Sequence, residues 1–577
     1  MSAAAAAASQ GLVRLPVWRA RFVLACLLAA FALLAGRSMY LQALKTGFLQ
    51  EKGEARYSRV LEVPATRGRI LDRNGEALAV STPVKSIWAI PPDVELGKEG
   101  RRKLASLLGL ELRELDRKLG ESRDFVYLKR QVAPETADAI RALRIRGLHE
   151  QEEYRRYYPA GEVTAHVVGF TGVDDAGQEG IELSHQDVLG GRAGSRRVIK
   201  DRLGEIVEDV ESIRAAQAGT DLTLSIDSKL QSLAFGALKA AVERERAKAG
   251  AIVALDVRTG EILALANVPS FNPNNRARLS GGQIRNRVIT DAFEPGSTLK
   301  PFTIAAALEA GKVTPSTGIA TLGGKMTIGR YTIHDSHPAA LLSVAQVLQK
   351  SSNVGAAKIA LGLPREAMWQ LFHQVGFGTA PELGFPGAAG GRLRPARSWR
   401  PIEQATMAYG HGISVSLLQL AHAYTVFAND GELVPLTLVK RAGLVAGEKV
   451  LSSGTAHALR AMLELAVQNG GTGPRARIMG WRVAGKTGTA HKQENGGYAA
   501  NKYLSSFVGF APASAPRLIV AVMIDEPSAG RYYGGEVAAP VFAQVMQGAL
   551  RLIGAPYDAP LEPVELPRDG EDLKEGT

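Results

Sequence analysis

The chain has 577 residues, of which 46% are hydrophobic and 22% charged, a composition typical of folded globular proteins that excludes disordered, collagen-like and disulfide-rich chains. The length is too great for one hydrophobic core and indicates several domains. A formal net charge of +12 at pH 7 fits a nucleic acid, an anionic membrane surface or an acidic polymer as a neighbour, and does not choose among them.

The first element along the chain is an apolar stretch from Phe22 to Gly36, with no acidic residue before Glu51. A membrane-spanning helix needs about 20 mostly apolar residues, and we predict a transmembrane anchor over residues 22–44. The segment Ala30–Ala32 also fits a signal-peptide cleavage site, but cleavage there would leave apolar residues at the new terminus, so we favour an uncleaved anchor. Because arginines precede the helix, residues before it are predicted to form a cytoplasmic tail (1–21) and the remainder to be exported.

Residues 45–220 form the next predicted segment, which is charged, rich in glycine and mixed in pattern. Within it, residues 69–80 contain two short strand-like runs around an Asn-Gly turn, which predicts a hairpin. Residues 101–119 have the apolar period of a helix. The pattern changes at about residues 218–222, where we place a domain boundary.

Residues 221–555 have longer apolar patterns, typical of a larger core. Strands near both ends of a region, with helices between them, predict one antiparallel sheet covered by helices, so the fold class is α+β. The residues beyond, 556–577, are acidic and are expected to form a flexible tail. The predicted elements of this region are a helix at 229–248, a hairpin at 251–265, a hairpin at 503–525 and a helix at 540–553.

Ser297 and Lys300 form the first motif that indicates chemistry. They follow a Pro-Gly turn, and we expect Ser297 to begin a helix that runs to Gly311. Residues three apart on a helix share a face, with about 5–6 Å between their Cβ atoms. A lysine whose pKa is lowered by burial or by a second cation can remove the proton of a serine hydroxyl and make it nucleophilic. The S-x-x-K pattern is short, and taken alone it arises easily by chance.

The second motif is Ser351-Ser352-Asn353, which lies between two apolar runs, at 341–348 and 354–361, that we predict to be helices. A junction between helices can hold a hydroxyl and an amide rigidly. Serine and asparagine at such positions are also common helix caps. The motif therefore has little weight by itself.

The third motif is Lys486-Thr487-Gly488-Thr489, which precedes the second hairpin and is expected on an inner strand of the sheet. A cation and a hydroxyl on a strand can hold a carboxylate, and the glycine leaves room for a substrate backbone. A following backbone N–H can complete an oxyanion hole. Alone, Lys-Thr-Gly is more typical of an exposed strand end, but the three motifs in this order favour acyl transfer through a serine.

With these motifs the chain resembles the class B penicillin-binding proteins, and most closely the septal cell-division transpeptidases of the FtsI type. S-x-x-K, a serine–asparagine motif and K-T-G occur together in penicillin-binding proteins and class A β-lactamases. The resemblance covers nearly the whole chain, from the anchor to about Gly554. Further stretches that carry it are Arg67–Gly75, Arg156–Pro159, Gly180–Glu182, Tyr409–Ser414 and Tyr532–Gly535.

The resemblance implies a role for each residue of the first two motifs. Ser297 would be the acylated nucleophile and Lys300 its general base. Ser351 would relay protons, and Asn353 would contact the amide of the substrate.

For the third motif the resemblance implies binding of the donor. Lys486 and Thr487 would hold the carboxylate of a D-Ala-D-Ala donor, with Gly488 and Thr489 beside it. The backbone N–H groups of Ser297 and Thr489 would form the oxyanion hole.

The same resemblance implies a peptidoglycan D,D-transpeptidase that cross-links stem peptides of the septal wall during cell division and is a target of β-lactams. It implies a non-catalytic pedestal over residues 45–220, a penicillin-binding domain over 221–555, and a single-pass inner-membrane protein with its catalytic domain in the periplasm at the septum. The expected partners are donor and acceptor stem peptides, β-lactams, an FtsW-type glycosyltransferase and other divisome membrane proteins, without nucleic acid. No cofactor and no metal are expected, and His334 and His337 are interpreted as part of a polar loop.

Three alternatives stay open at this stage. The first is an elongation-specific class B transpeptidase. The second is a catalytically silent divisome scaffold, although Ser297 and Lys300 are both present. The third is a β-lactam sensor, which would need a larger cytoplasmic segment than the short tail ahead of the anchor.

Overall fold

The structure is a computed structural model, and it describes residues 16–44, 58–120, 125–200, 206–494 and 497–565. The chain divides into two compact units, each built from three separate segments. The first unit comprises Met1–Ala65, Lys85–Gln151 and Arg192–Gln217, and the second comprises Thr66–Val84, Glu152–Gly191 and Ala218–Thr577.

The described residues contain the following strands: β1 (Ser58–Val63), β2 (Ile70–Leu71), β3 (Ala77–Ala89), β4 (Val126–Val132), β5 (Leu148–Tyr157), β6 (Phe170–Thr171), β7 (Gly177–Glu179), β8 (Gly194–Lys200), β9 (Ile206–Arg214), β10 (Leu222–Thr223), β11 (Ala249–Asp256), β12 (Ile262–Val268), β13 (Ala292–Phe293), β14 (Gly318–Ala320), β15 (Lys325–Ile328), β16 (Tyr331–His334), β17 (Leu341–Ser343), β18 (Val415–Ser416), β19 (Glu432–Leu433), β20 (Glu448–Lys449), β21 (Ala484–Glu494), β22 (Gly497–Ala511) and β23 (Leu518–Asp525).

The α-helices of the described residues are α1 (Val17–Met39), α2 (Lys98–Leu108), α3 (Leu112–Leu119), α4 (Pro134–Arg141), α5 (Ala165–Val168), α6 (Gly180–Ser184), α7 (Gln186–Leu189), α8 (Ser228–Arg244), α9 (Gly281–Ile284), α10 (Arg287–Thr290), α11 (Lys300–Glu309), α12 (Val344–Gln349), α13 (Asn353–Leu361), α14 (Arg365–Gln374), α15 (Pro401–Met407), α16 (Leu417–Ala423), α17 (Thr425–Ala428), α18 (Ser453–Leu465), α19 (Gly534–Val537) and α20 (Ala539–Leu552).

Helix α1 matches the predicted anchor in kind. The span Val17–Gln42, which includes α1, has 26 residues and contains an 18-residue window with a mean hydropathy of 2.0, and no side chain of α1 is buried in the protein. It begins ahead of the predicted start at residue 22 and ends in a π-helical turn, Tyr40–Leu44. A helix of this length and composition is sufficient to cross a bilayer.

The first unit combines β-strands with short helices. Strands β1, β8 and β9 form a three-stranded antiparallel sheet. Helices α2 and α3 pack against β4 through a small apolar core that includes Leu104, Leu108, Leu115 and Leu128. The helical period predicted over residues 101–119 corresponds to two helices rather than one, because Gly109 (φ +58°) ends α2 in a left-handed conformation and a second helix follows.

The second unit is organised around a five-stranded antiparallel sheet in the order β12-β11-β23-β22-β21. Both predicted hairpins are confirmed as β11–β12 and β22–β23. Helices α8 and α20 pack on the sheet through an apolar core with Leu238 and Phe542, and α16 packs on it with Leu417. The α+β fold class predicted from the sequence is confirmed.

The position expected for the Lys-Thr-Gly motif is wrong. Strand β21, which carries it, lies at the edge of the sheet rather than inside it. Residues 484–490 are nevertheless all buried, because a turn and helices cover them. This burial gives the strand the uniform apolar pattern of an inner strand, which sequence patterns cannot distinguish from a covered edge.

Residues 66–84 and 152–191 belong to the second unit. Strand β2 pairs in parallel with β10 and forms the predicted hairpin with β3. Glu182 is fully buried and accepts hydrogen bonds from Arg67 at 2.6 Å and from Arg156 at 2.7 Å. Removal of Glu182 would leave two buried cations without their carboxylate, so this network strongly constrains how these segments fold.

Candidate active site

The turn that carries Ser297 is a 3₁₀ turn, Gly296–Leu299, rather than the start of the predicted helix, and α11 begins at Lys300. Gly296 has φ +57°, a conformation that favours glycine. A side chain at Gly410 would meet the Gly296 carbonyl oxygen at 2.2 Å, so the two backbones need glycine to approach this closely. The backbone therefore fixes the position of the Ser297 hydroxyl.

Lys300 is fully buried, and its Nζ lies among hydroxyl and carbonyl oxygens. Its Nζ is 2.8 Å from Ser297 Oγ, 3.0 Å from Ser351 Oγ and 2.6 Å from the Ser351 carbonyl oxygen. At these separations a proton can pass directly between Nζ and either hydroxyl, in the direction that the protonation state allows. We call Ser297, Lys300 and Ser351 the nucleophile cluster.

The Ser351-Ser352-Asn353 motif lies between α12 and α13, as predicted, although the preceding helix is shorter than expected because Leu341–Ser343 forms strand β17. Ser351 has φ +58°, a strained conformation for a residue with a side chain. Ser352 caps α13 by accepting the N–H of Gly355 at 2.9 Å.

Asp335 holds the beginning of α13 from a neighbouring loop. Its carboxylate accepts the Ser352 hydroxyl at 2.6 Å and the Val354 N–H at 2.9 Å. Asn353 is buried, and its Nδ2 donates to the His334 carbonyl oxygen at 3.2 Å. Within the part of the chain that the structure describes, Asn353 Oδ1 is buried without a hydrogen-bond partner, which leaves an acceptor for a ligand N–H.

Lys486 and Thr487 are fully buried on β21, and Thr472, from a turn before this strand, contacts both. Lys486 Nζ is 3.1 Å from Thr487 Oγ1 and 3.3 Å from Thr472 Oγ1, and the two threonine hydroxyls are 2.7 Å apart. We call these three residues the cradle cluster. A cation with two hydroxyl groups is suited to hold a carboxylate.

Gly488 and Thr489 bring β21 against the turn that carries Ser297. A side chain at Gly488 would meet the Pro295 carbonyl oxygen at 2.9 Å and Ser506 Oγ at 2.6 Å, so protein atoms occupy the space that we had assigned to a substrate backbone. Thr489 Oγ1 accepts the Gly534 N–H at 3.0 Å. The oxyanion hole formed by the N–H groups of Ser297 and Thr489 stays a prediction.

Two titratable side chains flank the nucleophile cluster. Desolvation and the nearby charge of Lys300 lower the pKa of His411 to about 4, so this imidazole is neutral at neutral pH. Burial raises the pKa of Glu294, against the opposing effect of hydrogen bonds from the Gly412 N–H and the Tyr498 hydroxyl.

Thr472 and Asp335 are the site residues that the sequence analysis missed. Thr472 belongs to a Gly-Gly-Thr-Gly stretch, and Asp335 lies in a stretch interpreted as a polar loop. Thr472 contacts Lys486, which is 14 residues away in the sequence, and Asp335 contacts Ser352, which is 17 residues away. The run of glycines around Thr472 was the one available signal, because it indicates a tightly packed turn.

Together the motifs provide a nucleophilic hydroxyl with a lysine in contact, an amide oxygen without a partner, and a second lysine with two hydroxyls. The structure brings Ser297, Lys300 and Ser351 into direct contact, and it brings Lys486 and Thr487 into contact with each other. This arrangement suits acyl transfer from a substrate that carries a carboxylate.

Comparison with known families gives two matches. Residues 250–547 match the family model described as the penicillin binding protein transpeptidase domain. Residues 62–224 match the family model described as the penicillin-binding protein dimerisation domain.

Curated relatives match over nearly the whole length. The probable peptidoglycan D,D-transpeptidase PenA of Neisseria gonorrhoeae is 44% identical over 548 residues, which cover 94% of each chain. The peptidoglycan D,D-transpeptidase FtsI of Escherichia coli K12 is 42% identical over 549 residues, 94% of this chain and 93% of that one.

A solved structure, the transpeptidase domain of penicillin-binding protein 3 from Burkholderia pseudomallei, is similar with a TM-score of 0.55 and 49% sequence identity. It covers 58% of this chain and 98% of that one.

Proposed function

We infer the function from a premise that these matches supply: the chain belongs to the class B penicillin-binding proteins. It is a peptidoglycan D,D-transpeptidase, a penicillin-sensitive serine enzyme that acts on the stem peptides of the cell wall. Its place in septal wall synthesis during cell division agrees with the naming of its FtsI relatives.

We propose that the nucleophile cluster performs the first half of the reaction. Ser297 Oγ attacks the carbonyl carbon between the two terminal D-Ala residues of a donor stem, and its proton passes to the unprotonated Lys300 Nζ. The carbon–nitrogen bond then breaks, and the proton returns through Ser351 Oγ to the leaving D-Ala amine. The product is an ester between Ser297 and the donor stem.

The second half transfers the acyl group to an amine. A primary amine of another stem attacks the ester carbon, its surplus proton passes to Lys300, and Ser297 Oγ leaves and regains a proton. The predicted oxyanion hole would stabilise the negative oxygen in both halves. A β-lactam would enter the first half, and its opened ring would stay attached to Ser297.

The remaining residues bind the donor. The cradle cluster is suited to the terminal carboxylate of the donor, because a buried cation and two hydroxyls converge there. Asn353 Oδ1 is suited to accept an N–H of the donor amide.

The observation that carries the assignment of the nucleophile is the contact of 2.8 Å between Lys300 Nζ and Ser297 Oγ in a buried site. Intact mass spectrometry of the detergent-solubilised protein with benzylpenicillin tests it. We expect one adduct, mapped to Ser297, and none in a Ser297→Ala variant. An adduct at another residue, or rapid turnover of the drug, would contradict the assignment.

For location and partners, we propose that α1 anchors the protein in the inner membrane with residues 1–21 in the cytoplasm and the catalytic region in the periplasm. Arg14 ahead of α1, and Arg19 and Arg21 in its first turns, support this orientation because basic residues concentrate at the cytoplasmic end of a membrane helix. We also propose a pedestal over residues 45–220, a penicillin-binding domain over 221–555 and a tail beyond. A cysteine placed in the tail ahead of α1 should resist a membrane-impermeant thiol reagent in intact cells.

An FtsW-type glycosyltransferase and other divisome membrane proteins are proposed partners, with α1 as a contact surface. Co-purification of partners with a variant whose α1 is replaced by an unrelated membrane helix tests this. Recovery of the partner should fall, and undiminished recovery would remove the helix from consideration.

A further inference from the structure

Glu294 lies on the same backbone as the nucleophile. It directly follows β13 and precedes the turn that carries Ser297, so the two Cα atoms are at most about 11 Å apart. Strand β13 pairs with β18, and the loop that contains Gly412 lies just before β18 in the chain. Glu294 therefore belongs to the wall beside the nucleophile cluster.

The donors that reach the Glu294 carboxylate are neutral. Oε1 accepts the Gly412 N–H at 2.8 Å and Gln493 Nε2 at 2.8 Å, and Oε2 accepts the Tyr498 hydroxyl at 3.0 Å. Among the residues that the structure describes, no lysine, arginine or histidine forms an ion pair with Glu294. Asp525, on β23 of the sheet, is by contrast paired with Lys492 at 2.7 Å.

Two basic residues adjacent in sequence to the partners of Glu294, His411 beside Gly412 and Lys492 beside Gln493, do not supply a positive charge to it. His411 is uncharged at neutral pH for the reasons given above. Lys492 lies on the same hairpin as Gln493 but is engaged by Asp525 and Glu526. The carboxylate is half-buried, so its negative charge is stabilised less well than that of a fully hydrated carboxylate. A cation bound beside it would stabilise that charge.

A ligand can reach this carboxylate from solvent. Glu294 is partly exposed, Gly412 is exposed, and Tyr498 is 52% exposed. The site also has directional hydrogen-bond acceptors, because a carboxylate can accept about four hydrogen bonds and only part of that capacity is used here.

We propose that Glu294 binds the primary ammonium group of a stem peptide during the reaction. The proposal rests on the transpeptidase function and names a recognition element for its substrate. The acceptor must carry a primary amine, which is protonated until it reacts, and the donor belongs to the same polymer and carries the same group. The ammonium group that Glu294 binds can therefore come from either the donor stem or the acceptor stem.

The donor source is tested with two soluble pentapeptides that end in D-Ala-D-Ala and differ only in the side-chain amine of the third residue, free in one and acetylated in the other. The rate of D-Ala release by the full-length protein in detergent gives kcat/KM for each. If the donor supplies the cation, the wild-type protein should prefer the free amine by about tenfold, and Glu294→Gln should abolish that preference.

The acceptor source is tested with the acetylated donor and increasing concentrations of an amine-bearing acceptor peptide. If the acceptor supplies the cation, Glu294→Gln should raise the acceptor concentration needed for half-maximal cross-linking about tenfold, and should change D-Ala release from the acetylated donor by a much smaller factor. An equal effect of Glu294→Gln on both donors, or no effect in either arm, would overturn the proposal.

Two further variants make the result specific. Glu309→Gln makes the same change at a carboxylate on the far end of α11, where it accepts the Ser452 hydroxyl and N–H, and should leave every ratio as in the wild type. Gln493→Lys places an ammonium group of the protein itself beside Glu294 and should remove the preference for an amine-bearing peptide. Because Glu294 is unchanged in this variant, it tests the proposal independently of whether Glu294→Gln folds.

The rate of acylation by benzylpenicillin separates this proposal from the proposed function. That drug has no ammonium group, so the change in its acylation rate in Glu294→Gln measures damage to the site itself, and it should be much smaller than the change seen with the amine-bearing peptides. A wild-type protein that neither acylates nor releases D-Ala would refute the transpeptidase assignment instead.

Discussion

The nucleophile cluster and the cradle cluster each place a fully buried lysine among hydroxyl groups, and they differ in the backbone that presents those hydroxyls. Lys300 contacts Ser297, in a turn after a left-handed glycine, and Ser351, whose own φ is +58°. Lys486 contacts Thr487, the next residue of a regular strand. The hydroxyls of the nucleophile cluster are therefore positioned by irregular backbone, a left-handed glycine before Ser297 and a strained φ at Ser351, whereas a regular strand positions the hydroxyl of Thr487.

The largest difference between the clusters should appear when each lysine loses its amine. Lys300→Met removes the proton acceptor of the nucleophile, and we expect the second-order rate constant of acylation by benzylpenicillin to fall about 10³-fold or more. Quenched-flow mass spectrometry measures it, with thermal unfolding as a control for the fold. A loss below tenfold would mean that another group takes the proton of Ser297.

Lys486→Met should cost less and should depend on the ligand. Loss of one partner of a buried charge pair lowers binding by roughly 2–5 kcal/mol, so we expect acylation by benzylpenicillin to slow by about 10²-fold. The methyl ester of the drug lacks the carboxylate, and its already slow acylation should change little. An equal loss for both compounds would indicate a structural role for Lys486 instead.

Thr472→Val tests whether the cradle cluster includes a residue outside the three motifs. Loss of a hydroxyl that contacts Lys486 and Thr487 should slow acylation about fivefold, in keeping with the net value of one hydrogen bond. The loss should shrink with the methyl ester, and Thr472→Ser, which keeps the hydroxyl, should restore the rate. If the valine variant loses the same factor with both compounds, Thr472 only supports the fold.

His411 should have the smallest effect on catalysis. Its pKa is lowered to about 4, so acylation rates should show no change near pH 6.5, and His411→Gln should leave the pH profile from 5.5 to 7.5 unaltered. Stability behaves differently. In the unfolded chain His411 is protonated below about pH 6.5, whereas in the folded protein it is protonated only below about pH 4. The free energy of unfolding should therefore fall as the pH drops through that window, and less so in the variant.

The three motifs could be predicted from the sequence because the residues of each are contiguous or one helical turn apart. Their local backbone was harder to predict. The turn at Ser297 is 3₁₀ rather than α-helical, because the glycine before it and the close contact with Gly410 set its geometry.

What the sequence could not provide is contact between distant segments. Thr472 and Asp335 reach the site only because loops fold back onto β21 and α13. The edge position of β21 was hidden because the turn that carries Ser297 and neighbouring helices cover it, so residues 484–490 are all buried. The pattern of apolar residues in a sequence indicates which residues are buried, but it does not indicate whether a strand or another element covers them.

The interleaved segments of the second unit bear on how the protein is made. The hydrogen bond from the Arg69 N–H to Asp221 joins residues 152 positions apart, beside the parallel pairing of β2 with β10. A ribosome that adds about 5–20 residues per second leaves β2 without its β10 neighbour for roughly 8–30 s. Resistance to proteolysis near residue 70 should therefore develop only after synthesis has passed residue 222.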